Sequence, residues 1–425
     1  MNVKTTKTIA KLVTLSLITS TMLHATNGDN LISVGTKARG MGGTSMAVSH
    51  GAESGLSNGA LITSVEGTEI SFGGIVFMPE IKTQFLGQPE LRSKADMNMI
   101  PEVSIAHKID DNWYIGIGMW GTAGMGTDYS SKIFNPAAGA LGNFNMVTNL
   151  QLLQFGVPIA YKTEGFSVAV TPIMQYGNLD INYHMPLPPG SPIPALNVGA
   201  GLAQDFGFGY NIGMAYDFSE NGAPGLTIGA QYKSSIKMTY DNQLSNATAP
   251  FVALGVFPVP MSDDLEQPAE FGVGLAYVYE NQHTFAFDYK RVKWSDADGY
   301  GDFGWDDGDV YAFGYQYAQD NWAFRAGYNR SDSVVVEIPG GSASPAAAAL
   351  NFFNLLGFPA NSEQHYTLGG SYEFSEMFSV DLAYVYSPKT TDTFDIGAFA
   401  GLGLPPAITT SHREDSVSFQ LAYKF

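Results

Sequence analysis

Apolar residues in this chain return at every second position over segments of about ten residues, a spacing that suits strands and not helices. Phe206, Phe208, Tyr210, Ile212, Met214, Tyr216 and Phe218 share one parity, and Gly207, Gly209, Asn211, Gly213, Ala215 and Asp217 share the other. Phe271, Val273, Leu275, Tyr277 and Tyr279 repeat the theme, as do Phe378, Val380, Leu382, Tyr384 and Tyr386. Successive side chains of a strand point to opposite faces, so each segment has one greasy face and one small or polar face. About fourteen such strands can be drawn, at 68–78, 97–109, 113–121, 147–162, 166–183, 205–218, 226–241, 268–279, 284–295, 308–318, 322–332, 364–374, 378–387 and 415–425. Short turns rich in Gly, Asn and Asp, such as Asp110-Asp111-Asn112 and Gln319-Asp320-Asn321, alternate with long loops. The long loops fall at about 79–97, 122–146, 185–204, 242–267, 296–307, 333–363 and 388–414. The pattern predicts an all-β fold, a transmembrane antiparallel β-barrel over 68–425 with short periplasmic turns and long extracellular loops.

Composition supports the membrane setting. The 425 residues are 45% apolar and only 14% charged, against about a quarter charged in ordinary soluble domains. Beyond the N-terminus no apolar run reaches the roughly 20 residues of a spanning helix. A formal charge of −19 excludes nucleic acid as a partner. Lys4, Lys7 and Lys11, the apolar run 12–23 and the small-residue site ending at Ala25 make residues 1–25 a signal peptide. No cysteine occurs anywhere, which suits an oxidising compartment.

The chain ends on Val417, Phe419, Leu421, Tyr423 and Phe425, all on one face. This ending resembles the C-terminal recognition strand of bacterial outer-membrane barrels. The resemblance implies the outer membrane as location, the barrel-assembly machinery as a partner, and a surround of outer-membrane lipid and lipopolysaccharide. The last strand should close the barrel by pairing with 68–78.

Residues 26–67 lack strand alternation, are glycine-rich, and are too apolar for a free tail, so they read as an N-terminal hatch or plug, with a short helix near Met46-Ala47-Val48. Within them, Asn30-Leu31-Ile32, Ala38-Arg39-Gly40-Met41-Gly42-Gly43 and Asn58-Gly59-Ala60-Leu61 resemble the opening of FadL-type outer-membrane transporters. Further matches are WYIGIGMWGTAGMGTDY (113–129), Tyr232-Lys233-Ser234, FAFDYKRVKW (285–294) and WAFRAGYNR (322–330). The resemblance implies a fourteen-stranded barrel closed by a hatch and passive uptake of hydrophobic small molecules, long-chain fatty acids or aromatic hydrocarbons. Substrate would be caught among the loops, pass to a lumen pocket, and leave sideways through a kink in the third strand. That kink maps to Gly121, Gly124 and Gly126. The family's usual Asn-Pro-Ala is Asn58-Gly59-Ala60 here, and loss of the fixed proline φ points to a looser hatch.

Three cations, Lys233, Lys237 and Arg325, share the parity of the small residues and are placed in the lumen, because a cation facing lipid at mid-depth costs roughly 2–4 kcal/mol. Ile228, Ala230, Tyr232, Ser234 and Ile236 take the other face. Each cation can hold a fatty-acid carboxylate or pair with Asp217, Glu270, Asp288 or Asp381. The loops carry Phe251, Val252, Leu254 and Phe257, and a helix-like run 346–350 followed by Phe352, Phe353 and Leu356. Exposed apolar clusters of this kind mark binding surfaces, although the same residues can pack on one another and roof the barrel. Asp296, Asp298 and Asp302 lack the closing bidentate Glu of a calcium loop, so no metal is expected. No nucleophile elbow, phosphate loop or metal-spaced histidine set is found, which argues against an enzyme and against any cofactor. The main alternative is a surface adhesin or structural barrel that transports nothing. A monomer is expected.

Overall fold

The computed structural model describes residues 27–85, 87, 89–130, 145–186, 195–219, 221–402 and 404–425. The signal peptide expected at 1–25 and the middle of the loop at 122–146 lie outside the described residues. Among the described residues, fourteen barrel strands run antiparallel to their neighbours. They are β1 (Thr68–Phe85), β2 (Asn98–Lys108), β3 (Trp113–Met125), β4 (Asn145–Gly156, resuming at Ile159–Thr163), β5 (Phe166–Pro186), β6 (Ala203–Asp217) and β7 (Leu226–Lys233). The second half comprises β8 (Glu270–Tyr279), β9 (His283–Val292), β10 (Gly308–Gln319), β11 (Trp322–Ser331), β12 (Gln364–Ser375), β13 (Phe378–Asp395) and β14 (Ala407–Lys424). β1 pairs with β14 from Glu69 opposite Lys424 to Phe85 opposite Ile408, which closes the sheet. The interruption in β4 falls at Val157-Pro158, where proline has no N–H to give the ladder.

The alternation sorts the faces as a membrane requires. Phe206, Phe208, Leu275, Phe285 and Leu382 are exposed on the outer wall, and cross-strand rings such as Phe287 and Phe313, 4.9 Å apart, line it. The small inner residues seat the hatch. A Cβ on Gly229 would lie 1.8 Å from the Met46 carbonyl oxygen, and one on Gly327 would lie 2.1 Å from the Gly42 nitrogen.

The hatch holds one short helix, α1 (Thr36–Gly40), and two 3-10 turns, Gly51–Leu56 and Gly59–Ser64. No helix forms at Met46-Ala47-Val48. There the Ser45 and Met46 N–H groups donate to the Asp288 carboxylate on β9, at 2.6 and 2.9 Å, instead of to a helical turn. Above the barrel, α2 (Leu244–Ala253) and α3 (Pro345–Gly357) form the roof. Ser344 caps α3 by accepting the Ala347 N–H, with Pro345 in the first turn, where its missing donor costs nothing.

Candidate functional site

Among the described residues, the wall is discontinuous between β2 and β3. β2 and β3 pair from Lys108 opposite Tyr114 to Glu102 opposite Trp120, and there the ladder stops. β2 stays with β1 up to Asn98, while β3 turns onto β4 with a register shift between Gly121 and Ala123. Residues 98–101 and 121–125 therefore face each other without ladder bonds. A Cβ on Gly121 would sit 2.2 Å from the Ile100 side chain, so glycine there lets Ile100 fold into the gap. Gly126 lies just as close to the Thr148 carbonyl. Ile100 joins Leu31, Ile75 and Phe77 in a small buried apolar cluster that stops the gap.

The hatch supplies the missing strand. The Leu31 N–H donates to the Thr122 carbonyl at 3.1 Å, the Gly124 N–H donates to the Asp29 carbonyl at 3.0 Å, and Asn30 bridges Ala123. The opposite lip is held as firmly. Arg39 of α1 grips Glu102, the last residue of β2 paired with β3, through both guanidinium nitrogens at 2.7 and 2.5 Å, and its Nε donates to Ser418 on β14. This bidentate pair is almost wholly buried. Asn58 donates to the Met46 and Met214 carbonyls and accepts from the Ala60 N–H. Gly59 sits against Thr171, Ala169 and Pro158, each within 3.3 Å of where a Cβ would stand. Asn58-Gly59-Ala60 is a buried joint pressed on the wall, contrary to the looser hatch expected from the missing proline.

Beside the gap is a cavity bordered by Leu31, Trp120, Gly121 and Thr122 on one side and by Lys233, Glu270 and Lys290 on the other. Lys233 and Lys290 each approach one oxygen of the Glu270 carboxylate at 3.3 Å, so two cations share one anion. Arg325 lies nearer the periplasmic turns. It donates to Gln316 and Ser371 and stands 3.6 Å from Asp381, which also lies 4.0 Å from Lys37. Asp217, expected in the lumen, is exposed at the periplasmic strand end and accepts from Ser219.

Lys237 is not a lumen residue. β7 ends at Lys233, and after Ser234 and Ser235 the chain re-forms as Ile236–Thr239, paired with Asp264–Gln267 in a separate two-stranded ribbon. The break inverts the parity: Ile236 turns inward and is fully buried, while Lys237 turns out to Asp264 and Asp298 at 2.9 and 3.0 Å.

The capture-loop residues are not an exposed patch. Phe251 of α2 and Phe352, Phe353 and Leu356 of α3 are buried, with Val252, Leu254 and Phe257 half-buried around them. The Phe251 and Phe353 rings are 5.3 Å apart and edge-on. Under this roof lies a small apolar pocket walled by Met125, Leu265, Tyr300, Phe303, Trp305 and Phe358. Asp296, Asp298 and Asp302 do not converge: Asp298 pairs with Lys237 and Asp302 accepts from the Gly299 N–H.

Asp29, Glu102 and Lys290 have structural roles that the sequence reading missed. Lys290 shares the inward parity of Asp288 and was findable by alternation; Asp29 stands in an aperiodic segment and gave no signal. Asp29 is fully buried between hatch and roof, accepting from Gln267 and from the Tyr300 hydroxyl. Burial pushes its carboxyl up to about 6, against the pull of the Tyr300 and Gln267 hydrogen bonds and of Lys233.

A closed barrel with an internal hatch, an apolar roof pocket and a wall gap plugged from inside defines an outer-membrane transport barrel. The chain belongs to the family described as outer membrane protein transport protein (OMPP1/FadL/TodX), whose model matches residues 16–398. It is similar to a 47 kDa outer membrane protein of Pasteurella multocida, 24% identical over 356 residues, covering 79% of this chain and 81% of the relative. It is also similar to the long-chain fatty acid transport protein of Escherichia coli, 23% identical over 389 residues, covering 81% and 83%. The crystal structure of the P. putida toluene transporter TodX has the same fold, with a TM-score of 0.67, 17% identity, and coverage of 93% of this chain and 99% of that one.

Proposed function

We propose that this barrel admits hydrophobic amphiphiles passively, with long-chain fatty acids as its principal substrates. Substrate parts the roof, passes from the apolar pocket to the lumen cavity, and leaves sideways through the β2–β3 gap into the membrane. The observation that carries this reading is the pair of lysines sharing Glu270 beside a cavity that ends at the gap. These ammonium groups suit a carboxylate head, which a charge-assisted hydrogen bond would hold in a largely dry site. No energy-coupling motif is seen in the sequence, so transport runs downhill. Fluorescent fatty-acid uptake by a deletion strain, with and without this chain, tests the proposal. Restored uptake supports it, and unchanged uptake of every hydrophobic probe defeats it.

A second substrate class has its own support. The roof pocket is walled almost wholly by carbon, which suits an apolar molecule without a charged head. The likeness to a toluene transporter points the same way. Competition between toluene and a fatty acid for the same uptake separates the two classes.

A further inference from the structure

We propose that Asp29 is a proton-operated latch between roof and wall gap: taking up a proton tightens the hatch strand onto β3, and losing it loads that strand for release. This rests on the lateral exit proposed above and adds a regulation to it.

Asp29 holds two parts of the molecule at once. Its carboxylate accepts from Tyr300 of the roof segment and from Gln267. Its backbone carbonyl accepts from Gly124, inside the stretch of β3 that has left β2. Gly28, just before it, has φ +74° and lies against the Trp294 indole, so the segment is clamped from the roof side as well. The gap cannot open at 121–124 while 29–31 occupies that edge.

The charged and titrating groups facing the carboxyl come from every neighbouring element. They are Tyr300 from the roof, Lys233 from β7, Glu270 from β8, and Tyr240 beyond the Ile236–Thr239 strand. Lys233 is largely committed to Glu270, so no cation is given wholly to Asp29. Burial therefore dominates, and the carboxyl titrates near 6 when latched, against its ordinary value of 3.8. A group with a raised pKa in one state binds its proton more tightly in that state. The latched form is thus favoured as pH falls through 6, and is weakest above 6, where a bare carboxylate stays buried. When opening limits transport, uptake should fall roughly tenfold between pH 7.5 and pH 5.

The test uses radiolabelled naphthalene, which carries no titrating group, and outer-membrane vesicles bearing the full chain. Wild type should take it up faster at pH 7.5 than at pH 5, with the step near pH 6. Asp29→Asn, a neutral mimic of the protonated side chain, should lose the step and stay slow at both pH values. Tyr300→Phe, which removes a donor that holds the carboxyl down, should move the step to higher pH. A separate arm locks the strand. Asn30 and Ala123 form a non-hydrogen-bonded antiparallel pair, where Cα atoms lie about 4.5 Å apart, within disulfide reach. The chain has no other cysteine, so Asn30→Cys with Ala123→Cys gives one defined bond. Oxidised, this variant should be blocked at every pH and recover on reduction. Passage through the locked variant would overturn the lateral exit itself. A block without any pH step in wild type, or a step that survives in Asp29→Asn, would overturn the latch alone.

Discussion

The two ends of the barrel are closed by opposite chemistry. The roof is a carbon core in which Phe251, Phe352, Phe353, Leu355 and Leu356 are all buried. The hatch is held to the wall by buried polar groups: Arg39 on Glu102, Ser45 and Met46 on Asp288, Asn58 on Met214. It also buries titrating groups, and burial pushes His50 down to about 3 and Glu53 up to about 7. Apolar contacts are non-directional, so a greasy molecule entering the roof replaces one carbon neighbour with another at little cost. A hatch that moves uncovers charge and leaves hydrogen-bonding groups unpaired, each costing about 1–3 kcal/mol. The outer closure therefore yields to the substrate's own chemistry, and the inner closure moves only when charge or hydrogen bonding changes.

The most severe way to test that contrast is Arg39→Ala. It strands a buried carboxylate on Glu102 and should lower stability by about 3–5 kcal/mol. Thermal unfolding, followed by the gel-mobility shift of the heated barrel, measures the loss. The double variant Arg39→Ala with Glu102→Ala should recover part of it, because no lone charge is then left behind. If both variants melt alike, the anchor is not electrostatic.

Phe353→Ala attacks the roof and should cost about 3 kcal/mol, from lost burial and the cavity left behind. That cavity would be apolar and would extend a pocket already present, so a small aromatic should fill it. Saturating benzene is expected to raise the melting temperature of Phe353→Ala more than that of wild type, and that of Arg39→Ala by no more than that of wild type. Equal responses would mean that the two closures do not differ in kind.

How much of this was legible in sequence follows the same division. Strand positions, the closing pair and the outward aromatics were readable because period-two alternation records which face meets lipid. The roof residues were legible as an apolar group, but whether they lay exposed or packed on one another as a roof was not, since composition does not say whether two loops cover each other. The hatch contacts were hardest. Arg39, Asn58 and Asp29 find partners 63, 156 and 271 positions away, on Glu102, Met214 and Tyr300, and no local pattern encodes such pairings. Gly229 and Gly327 share the parity of the small residues, yet they are seats for the hatch backbone, which alternation does not show.

The smallest predicted effects set one lysine against another. Lys233 and Lys237 lie four residues apart with the same apparent parity, and only the break at Ser234-Ser235 separates their fates. Lys233→Met removes one of the two cations on Glu270 and keeps the length of the stem, so one ammonium fewer faces the cavity. Fatty-acid uptake should fall several-fold, while uptake of a neutral aromatic changes little, because a ring makes no use of that charge. Lys237→Met removes a solvent-screened surface pair with Asp264 and Asp298, and such pairs are worth little. Uptake of both probes and the melting temperature should stay at the wild-type level. Initial rates with labelled oleate and labelled toluene, measured on the same vesicles, give the full two-by-two comparison. A selective loss of oleate uptake in Lys237→Met would move the carboxylate site to the mouth of the barrel. Equal loss of both substrates in Lys233→Met would make that lysine a strut of the wall with no part in choosing cargo.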